Sequence, residues 1–564
     1  MSTIPESVMS LVNLYLKPLL VWFSDKLYAD LVARAKDHLL VQLQATIDLT
    51  PIEEACADYH HLTGPGARPT HPVPRLTRAL LVGYLYNWSL RQLELQIRYN
   101  LIVKWFVGYS VFDVGPDHCT LNRFEQWVCE HQRRSYFDQV LRQIDADFPE
   151  ERNQPQIGDT YALQANAAKE SLVRLIRHTC QCLLNALAAV DAAAGQSVTE
   201  KLDYAALFGS ENEPSYYRMT GTERKQQLQT TVVNALQCAQ GVRTQLAATG
   251  SRSADDRQEV VDWLDRLDKI LADEVQIQRD TEGHITQVSR LPKDKRGSYR
   301  IGSATDPQAT YRVHGKNKVD LGYNASVAAT TNFIREIQVD TGAQPDAAAI
   351  PGLLAAQVEH HDICPSKFIY DAAAGKGKTH AAVQKATQGR TQLVAPIVST
   401  NKKAKRFTPN DFTLSAEGTC LTCPNQKSSS TAYRSGDGRN FCFAASVCQG
   451  CSLWSDCRDP KANPEGIRHV FISDHRHLLE QAQAYNQTEA FKADMKLRPH
   501  VERVIAILVR HNGGRRARRR GKKKADFQAK MNATALNIKR WLRLLAERLH
   551  PLETAKAAPL PATV

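Results

Sequence analysis

Apolar positions recur at three- and four-residue intervals through most of the first 150 residues, most clearly in "PVPRLTRALLVGYLYNWSLRQLELQIRYNLIVKWFVGY" (72–109), and that spacing predicts a helical domain. "GPDHCTLNRFEQWV" then supplies Asp117 as the cap of a further helix, with Arg123 on its face. The texture changes at "PQIGDTYALQANA" (155–167), a short β-favouring run. From 167 to 300 the pattern returns to helix, clearest in "LVRLIRHTCQCLLNALAAV" and "EVVDWLDRLDKILADEV", and predicts an all-helical insertion. Strand-like texture resumes between 301 and 400, in "KVDLGYNASVAATTNFIREIQVDTGAQPD" and "SKFIYDAAAG". The strands lie on both sides of a helical block, so their sheet has to be assembled from distant segments, which predicts an α/β core.

The remaining boundaries follow from composition. Residues 401–465 are polar and Cys-rich, 466–548 read as C-terminal core helices, and 549–564 read as a disordered tail. With 564 residues, 43% hydrophobic and 23% charged, the chain can bury several cores. Residues 9–23 are its most membrane-like stretch, but Asn13, Lys17 and Pro18 interrupt it and nothing approaches the ~20 apolar residues of a span. Thirteen cysteines without an export signal point to reduced thiols and a cytoplasmic location.

Charge adds a partner. The net charge is +13, and residues 501–524 hold ten Lys or Arg against the single acid Glu502. The densest part, "RRARRRGKKK", places Arg515, Arg516, Arg518, Arg519, Arg520, Lys522, Lys523 and Lys524 within ten positions, a density that calls for a polyanion or free solvent. Because "FQAKMNATALNIKRWLRLL" follows as an amphipathic helix, the run lies within the fold, and nucleic acid is the expected polyanion. In the N-terminal domain Arg75, Arg78, Arg91 and Arg98 fit either the phosphate contacts of a helix-turn-helix or the solvated face of a plain bundle.

"FIYDAAAGKGKTHAAV" (368–383) admits two readings. A phosphate-binding loop of the form G-x-x-x-x-G-K-S/T would need glycine where Ala372 stands. The alternative is a strand delivering Asp371 to a metal site. Two-metal phosphoryl transfer uses several carboxylates around paired divalent ions. Asp159 in the first β-like run, Asp371 at the end of a later one and Glu502 on a helix stand in suitable contexts, yet among 59 acids such a choice needs further support. Separately, Cys420-x2-Cys423 and Cys448-x2-Cys451, with Cys442 and Cys457, have the spacing of zinc knuckles. The ligands could be the two C-x2-C pairs or Cys423, Cys448, Cys451 and Cys457; a binuclear or iron–sulfur centre also fits the spacing.

Four blocks, "IGDTYALQANA", "KVDLGYNASVAAT", "FIYDAAAGKGKTHAAV" and "RPHVERVIAILVRHNGGRRARRRG", resemble in order the motifs of DDE transposases of bacterial insertion sequences, the IS eleven-eighty-two type group related to the IS-four/IS-five superfamily. The block 71–128 also resembles the helical domain preceding the catalytic core in those enzymes. The resemblance implies a ribonuclease-H-like core with Asp159, Asp371 and Glu502 as catalytic ligands of Mg2+ (or Mn2+). It implies cleavage at transposon ends, strand transfer into target DNA, and a homodimer or larger oligomer joining two ends. The related pattern Y-x2-R-x3-E-x6-K is met at Arg498 and Glu502, but Met495 and Val509 hold the other two positions. Arg510, one place late, would point about 100° away on a helix. Arg498 and Arg510 join the basic run as candidate DNA contacts. A nuclease without strand transfer and an inactive DNA-binding relic are the rival expectations.

Overall fold

The computed structural model describes residues 16–60, 71–210, 213–214, 217–248, 254–314, 318–397, 406–459, 461–463 and 465–549. The expected tail, and much of the 9–23 stretch, lie outside these residues.

A mixed sheet forms the centre. Its strands are β1 (Gln156–Gln164), β4 (Thr310–His314), β5 (Lys318–Ala329), β6 (Ile334–Thr341), β7 (Lys367–Ile369) and β8 (Gln392–Val394); β2 and β3 belong to the insertion described below. The order is β4-β5-β1-β7-β8, with β6 also on β5. β5 runs antiparallel to β1, β4 and β6, whereas β1, β7 and β8 are mutually parallel neighbours. In β1, Ile157, Tyr161 and Leu163 alternate into the core. Gly158 faces the other way, where an added Cβ would stand 2.5 Å from the Phe368 ring and 2.9 Å from that of Tyr370. Only glycine lets those buried rings cross the strand.

The Lys522–Leu549 helix ties the molecule together. Ala525, Ala529, Ala533 and Leu536 pack on the sheet, while Phe527, Met531, Ala535, Ile538 and Trp541 enter the core of the N-terminal helices. The sequence predicts one apolar stripe here; instead every residue from Ala525 to Ile538 is buried, because domains cover the helix from opposite sides. Its polar side chains close the edge of β6. Asn537 exchanges 2.9 Å hydrogen bonds with both the N–H and the C=O of Ile334, and Asp526 accepts from the N–H of Val339 at 3.0 Å. Those groups would otherwise be an open edge.

The insertion between β1 and β4 has its own core, including Ile176, Leu183, Leu187, Val232, Val242, Leu264 and Leu267. It is not all-helical. β2 (Val275–Arg279) and β3 (Ile285–Arg290) form an antiparallel hairpin at its end. "VQIQRDTEGHITQVSR" alternates apolar and polar residues around a Gly283 turn, a period-two signal submerged by the long helical pattern before it.

The Cys-rich region folds into two three-stranded sheets, β9 (Thr413–Leu414), β10 (Leu421–Thr422) and β11 (Ser428–Ser429), then β12 (Ala432–Ser435), β13 (Gly438–Phe443) and β14 (Arg468–Ser473). β14 lies beyond the expected limit at 465, since its pairing with β13 rather than cysteine content sets where this module ends.

Candidate active site

β1 and β7 pair in parallel with Gln156 beside Phe368 and Ile157 beside Ile369. Two residues further along the same register, Asp159 comes alongside Asp371. The Tyr370 N–H donates to the Val394 carbonyl at 2.9 Å, keeping the chain extended as far as Asp371. There Asp371 accepts from the Ala373 N–H at 2.9 Å and begins a short turn. Glu502 comes from the Pro499–His511 helix, where Pro499 occupies the first turn. Val501, Val504 and Leu508 bury that helix against the sheet and leave Glu502 on its exposed side.

The three acids meet around Arg498. Its Nη2 lies 3.7 Å from Asp159 Oδ2, 3.9 Å from Asp371 Oδ2 and 3.7 Å from Glu502 Oε1. Since every one of these oxygens is within 3.9 Å of a single nitrogen, no two are separated by more than twice that distance. Among the described residues no three acids, thiols or imidazoles are closed tightly enough to chelate an ion as they stand. The cation between the carboxylates is the guanidinium, and its Nε is buried without a hydrogen-bond partner.

Burial pushes the Asp159 carboxyl above the usual aspartate range, against the pull of the Thr160 N–H and Arg498, and neighbouring Asp371 and Glu502 push it further up. A metal ligand must be ionised. Divalent-ion affinity is therefore expected to fall as pH drops through a value higher than an ordinary aspartate would give. In metal-free protein the sign is opposite: the folded state holds the proton more tightly than the unfolded chain, so stability falls as pH rises through the folded pKa. Mn2+ titrations carried down in pH through the carboxylate range check this, and affinity that does not weaken on acidification would count against Asp159 as a ligand.

The phosphate-loop alternative finds no nest. Residues Ala372–Ala374 make a short 3-10 turn, and neither Gly375 nor Gly377 has positive φ. Both are close-approach glycines. A Cβ on Gly375 would stand 2.3 Å from the Pro396 carbonyl, and one on Gly377 would stand 2.9 Å from His475 Cβ.

The basic run divides in two. Arg519 pairs with buried Glu125, and Lys523 with Glu130, both from the N-terminal helices. Arg518 donates to Asn87 Oδ1 at 2.9 Å and lies over the Tyr84 ring, Arg520 donates to the Asn166 carbonyl at 3.2 Å, and Lys522 faces Asp340 at 4.0 Å. Of these five, Arg518 and Arg519 are partly buried, while Arg520, Lys522 and Lys523 make their contacts from exposed positions. Arg510, Arg515 and Arg516 are exposed. Arg75, Arg78 and Arg98 likewise have acidic neighbours in Asp113, Glu53 and Glu94, while Arg91 is exposed.

In the Cys-rich module Cys423, Cys448 and Cys457 pack around one small core with Phe412, Leu421 and Phe441. Burial pushes the Cys448 thiol up, and Cys457, Cys451 and Cys423 push in the same direction. Cys442 stands apart, 3.3 Å from His469 Nδ1. None of the cysteines forms a disulfide among the described residues.

These features define a mixed α/β protein in which two parallel strands and a helix gather an acid cluster, with a cation-rich segment after that helix. Residues 29–127 match the family model described as "Transposase domain (DUF772)", and residues 422–542 match "Transposase DDE domain". Each of these two stretches is thus similar to a transposase domain, and each covers less than a quarter of the chain. The second contains Glu502 but neither Asp159 nor Asp371. No curated protein and no solved structure matches the chain. No helix among the described residues is long and apolar enough to cross a membrane.

Proposed function

We propose that Asp159, Asp371 and Glu502 are the metal ligands of a DDE transposase with a ribonuclease-H-like core, which cleaves insertion-sequence ends and transfers them to target DNA. The observation carrying this reading is the convergence of all three acids on one Arg498 nitrogen, although they come from two strands and a helix. The donor set fits hard divalent ions: the acids are oxygen donors, and Asp159 and Asp371 are held by backbone N–H groups. Bound Mg2+ would activate the attacking oxygen and stabilise the leaving one.

The chain's own residues do the rest. Thr160 and Ala373 orient the two aspartates through their N–H groups, and Arg498 sets a positive charge among the three carboxylates. Arg510, Arg515 and Arg516, left outside the internal ion pairs, would meet phosphate. Two copies would act together on two transposon ends. The test is incubation of purified protein with the DNA flanking its gene in Mg2+, followed by supply of a precut end. Cleavage and joined product are expected. Cleavage without joining would reduce the activity to that of a nuclease, and binding without either would leave a DNA-binding relic.

For the Cys-rich module we propose structural Zn2+ held by Cys423, Cys448, Cys451 and Cys457: three of them pack against one small core, and the Cys451 N–H donates to the Cys448 carbonyl at 3.2 Å in a tight turn. Metal would hold them as thiolates despite burial. Elemental analysis should find about one zinc per chain, lost on Cys448→Ser. Stoichiometric zinc surviving that substitution would exclude this ligand set.

A further inference from the structure

The loop leaving Asp371 runs straight into a cleft that the acid cluster does not occupy. Residues 375–378 form one wall, and the Cys-rich module with the Arg476–Tyr485 helix forms the other; together they enclose about 530 Å3. Lys376 and Lys378 line it five and seven positions beyond Asp371, both exposed and neither in an ion pair among the described residues. Ser473, Asn410 and Arg476 face them. Arg476 donates to the Phe412 carbonyl and pairs with Glu480, but its Nη1 is buried without a hydrogen-bond partner. Asp437 is the acid in the lining. Asn410 hydrogen-bonds Gln483 across the junction, joining the module to the helix. Gly377 permits this close approach, as its neighbours on the far side are His475 and Ser473.

We propose that this cleft is the track of a DNA strand leaving the acid cluster, with Lys376 and Lys378 on successive backbone phosphates and the Cys-rich module as the opposing jaw. The inference rests on the transposase reading for the identity of the strand. Its local basis is independent: two exposed cations lining a cavity, without an ion pair among the described residues, one capping and one in the first turn of the helix Gly377–Thr387 that follows a proposed metal ligand. A side-chain grip suits a polymer, since successive phosphates can be met by separate lysines without the glycine nest that a bound nucleotide requires. It also gives the module a place in the reaction, because the jaw it forms is fixed to the core at the point where DNA would pass.

The experiment measures fluorescence anisotropy of a labelled duplex against salt for wild type, Lys376→Gln/Lys378→Gln and the control Lys201→Gln/Lys225→Gln, whose lysines are exposed on the helical insertion. Two lost phosphate contacts should reduce the slope of log K against log[salt] by about 1.8, with no change in the control. Mn2+ binding should be equal in all three, which separates loss of the strand contact from damage to the acid cluster. An unchanged slope in the cleft variant overturns the proposal, and so does a fluorescent ATP analogue that binds wild type and is lost in the cleft variant while duplex binding is intact. A wild type that binds with the expected slope difference but never cleaves would refute the transposase reading and leave the cleft standing. Cleavage by wild type with no slope difference would refute the cleft alone.

Discussion

Asp371→Asn is expected to abolish Mg2+-dependent DNA cleavage while leaving DNA binding and the fold intact. Asparagine keeps the size of the side chain and can still accept from the Ala373 N–H, so the turn at Ala372–Ala374 should survive. What disappears is one negative charge of the three facing Arg498 Nη2. Removing an outer-shell partner of a metal ligand commonly costs 10- to 100-fold in activity, so loss of a ligand should cost more than about a hundredfold. Asp159→Asn and Glu502→Gln should behave alike. The measurement is single-turnover cleavage, with anisotropy for binding and circular dichroism for the fold. Retention of more than about a tenth of wild-type cleavage by any one of these variants would remove that residue from the ligand set.

Arg519→Ala should destabilise the protein more than any other single truncation in the basic run. Arg519 donates from Nε to Glu125 Oε2 at 3.0 Å, and the Glu125 side chain is only 4% exposed. Without Arg519 the carboxylate keeps the Tyr84 hydroxyl at 2.8 Å but no cation in contact, and breaking a buried pair in this way typically costs 3–5 kcal/mol. Arg519 itself is 25% exposed, so water can partly replace it, and about 3 kcal/mol is the expected loss. Arg515→Ala and Arg516→Ala, by contrast, should change stability by less than about 0.5 kcal/mol and weaken DNA binding instead. Denaturant unfolding and salt-dependent binding, run on the three variants, separate the roles. Equal stability in all three would show that the Glu125 pair contributes nothing. Equal loss of affinity would show that Arg519 also reaches DNA.

The candidate site was readable in local terms: an acid in a β-like run, an acid ending another, and an acid in the first turn of an amphipathic helix. Each needs only a few neighbouring residues to be recognised. Their convergence was implied by the family resemblance and not by local pattern, because it depends on the parallel register of β1 with β7, set by side chains such as Phe368 packing over Gly158. The glycines after Asp371 show the same limit. Their presence is plain in the sequence, but whether they serve a turn, a phosphate nest or close packing is decided by Pro396 and His475, which come from elsewhere.

The amino-acid order alone established the helical N-terminal region, the interrupted α/β core, the Cys-rich stretch and a concentrated positive charge, because periodicity and composition are properties of neighbours along the chain. The fold decided which cations remain free and which are held by Glu125, Glu130 and Asp340, why the last helix is buried on both sides, and where the hairpin and β14 fall. The ion pairs and the two-sided burial of the last helix depend on partners far away in the chain, whereas the hairpin and β14 pair with strands close by. A side chain's charge is written in the sequence, but whether that charge faces a carboxylate or water is fixed only when distant segments pack.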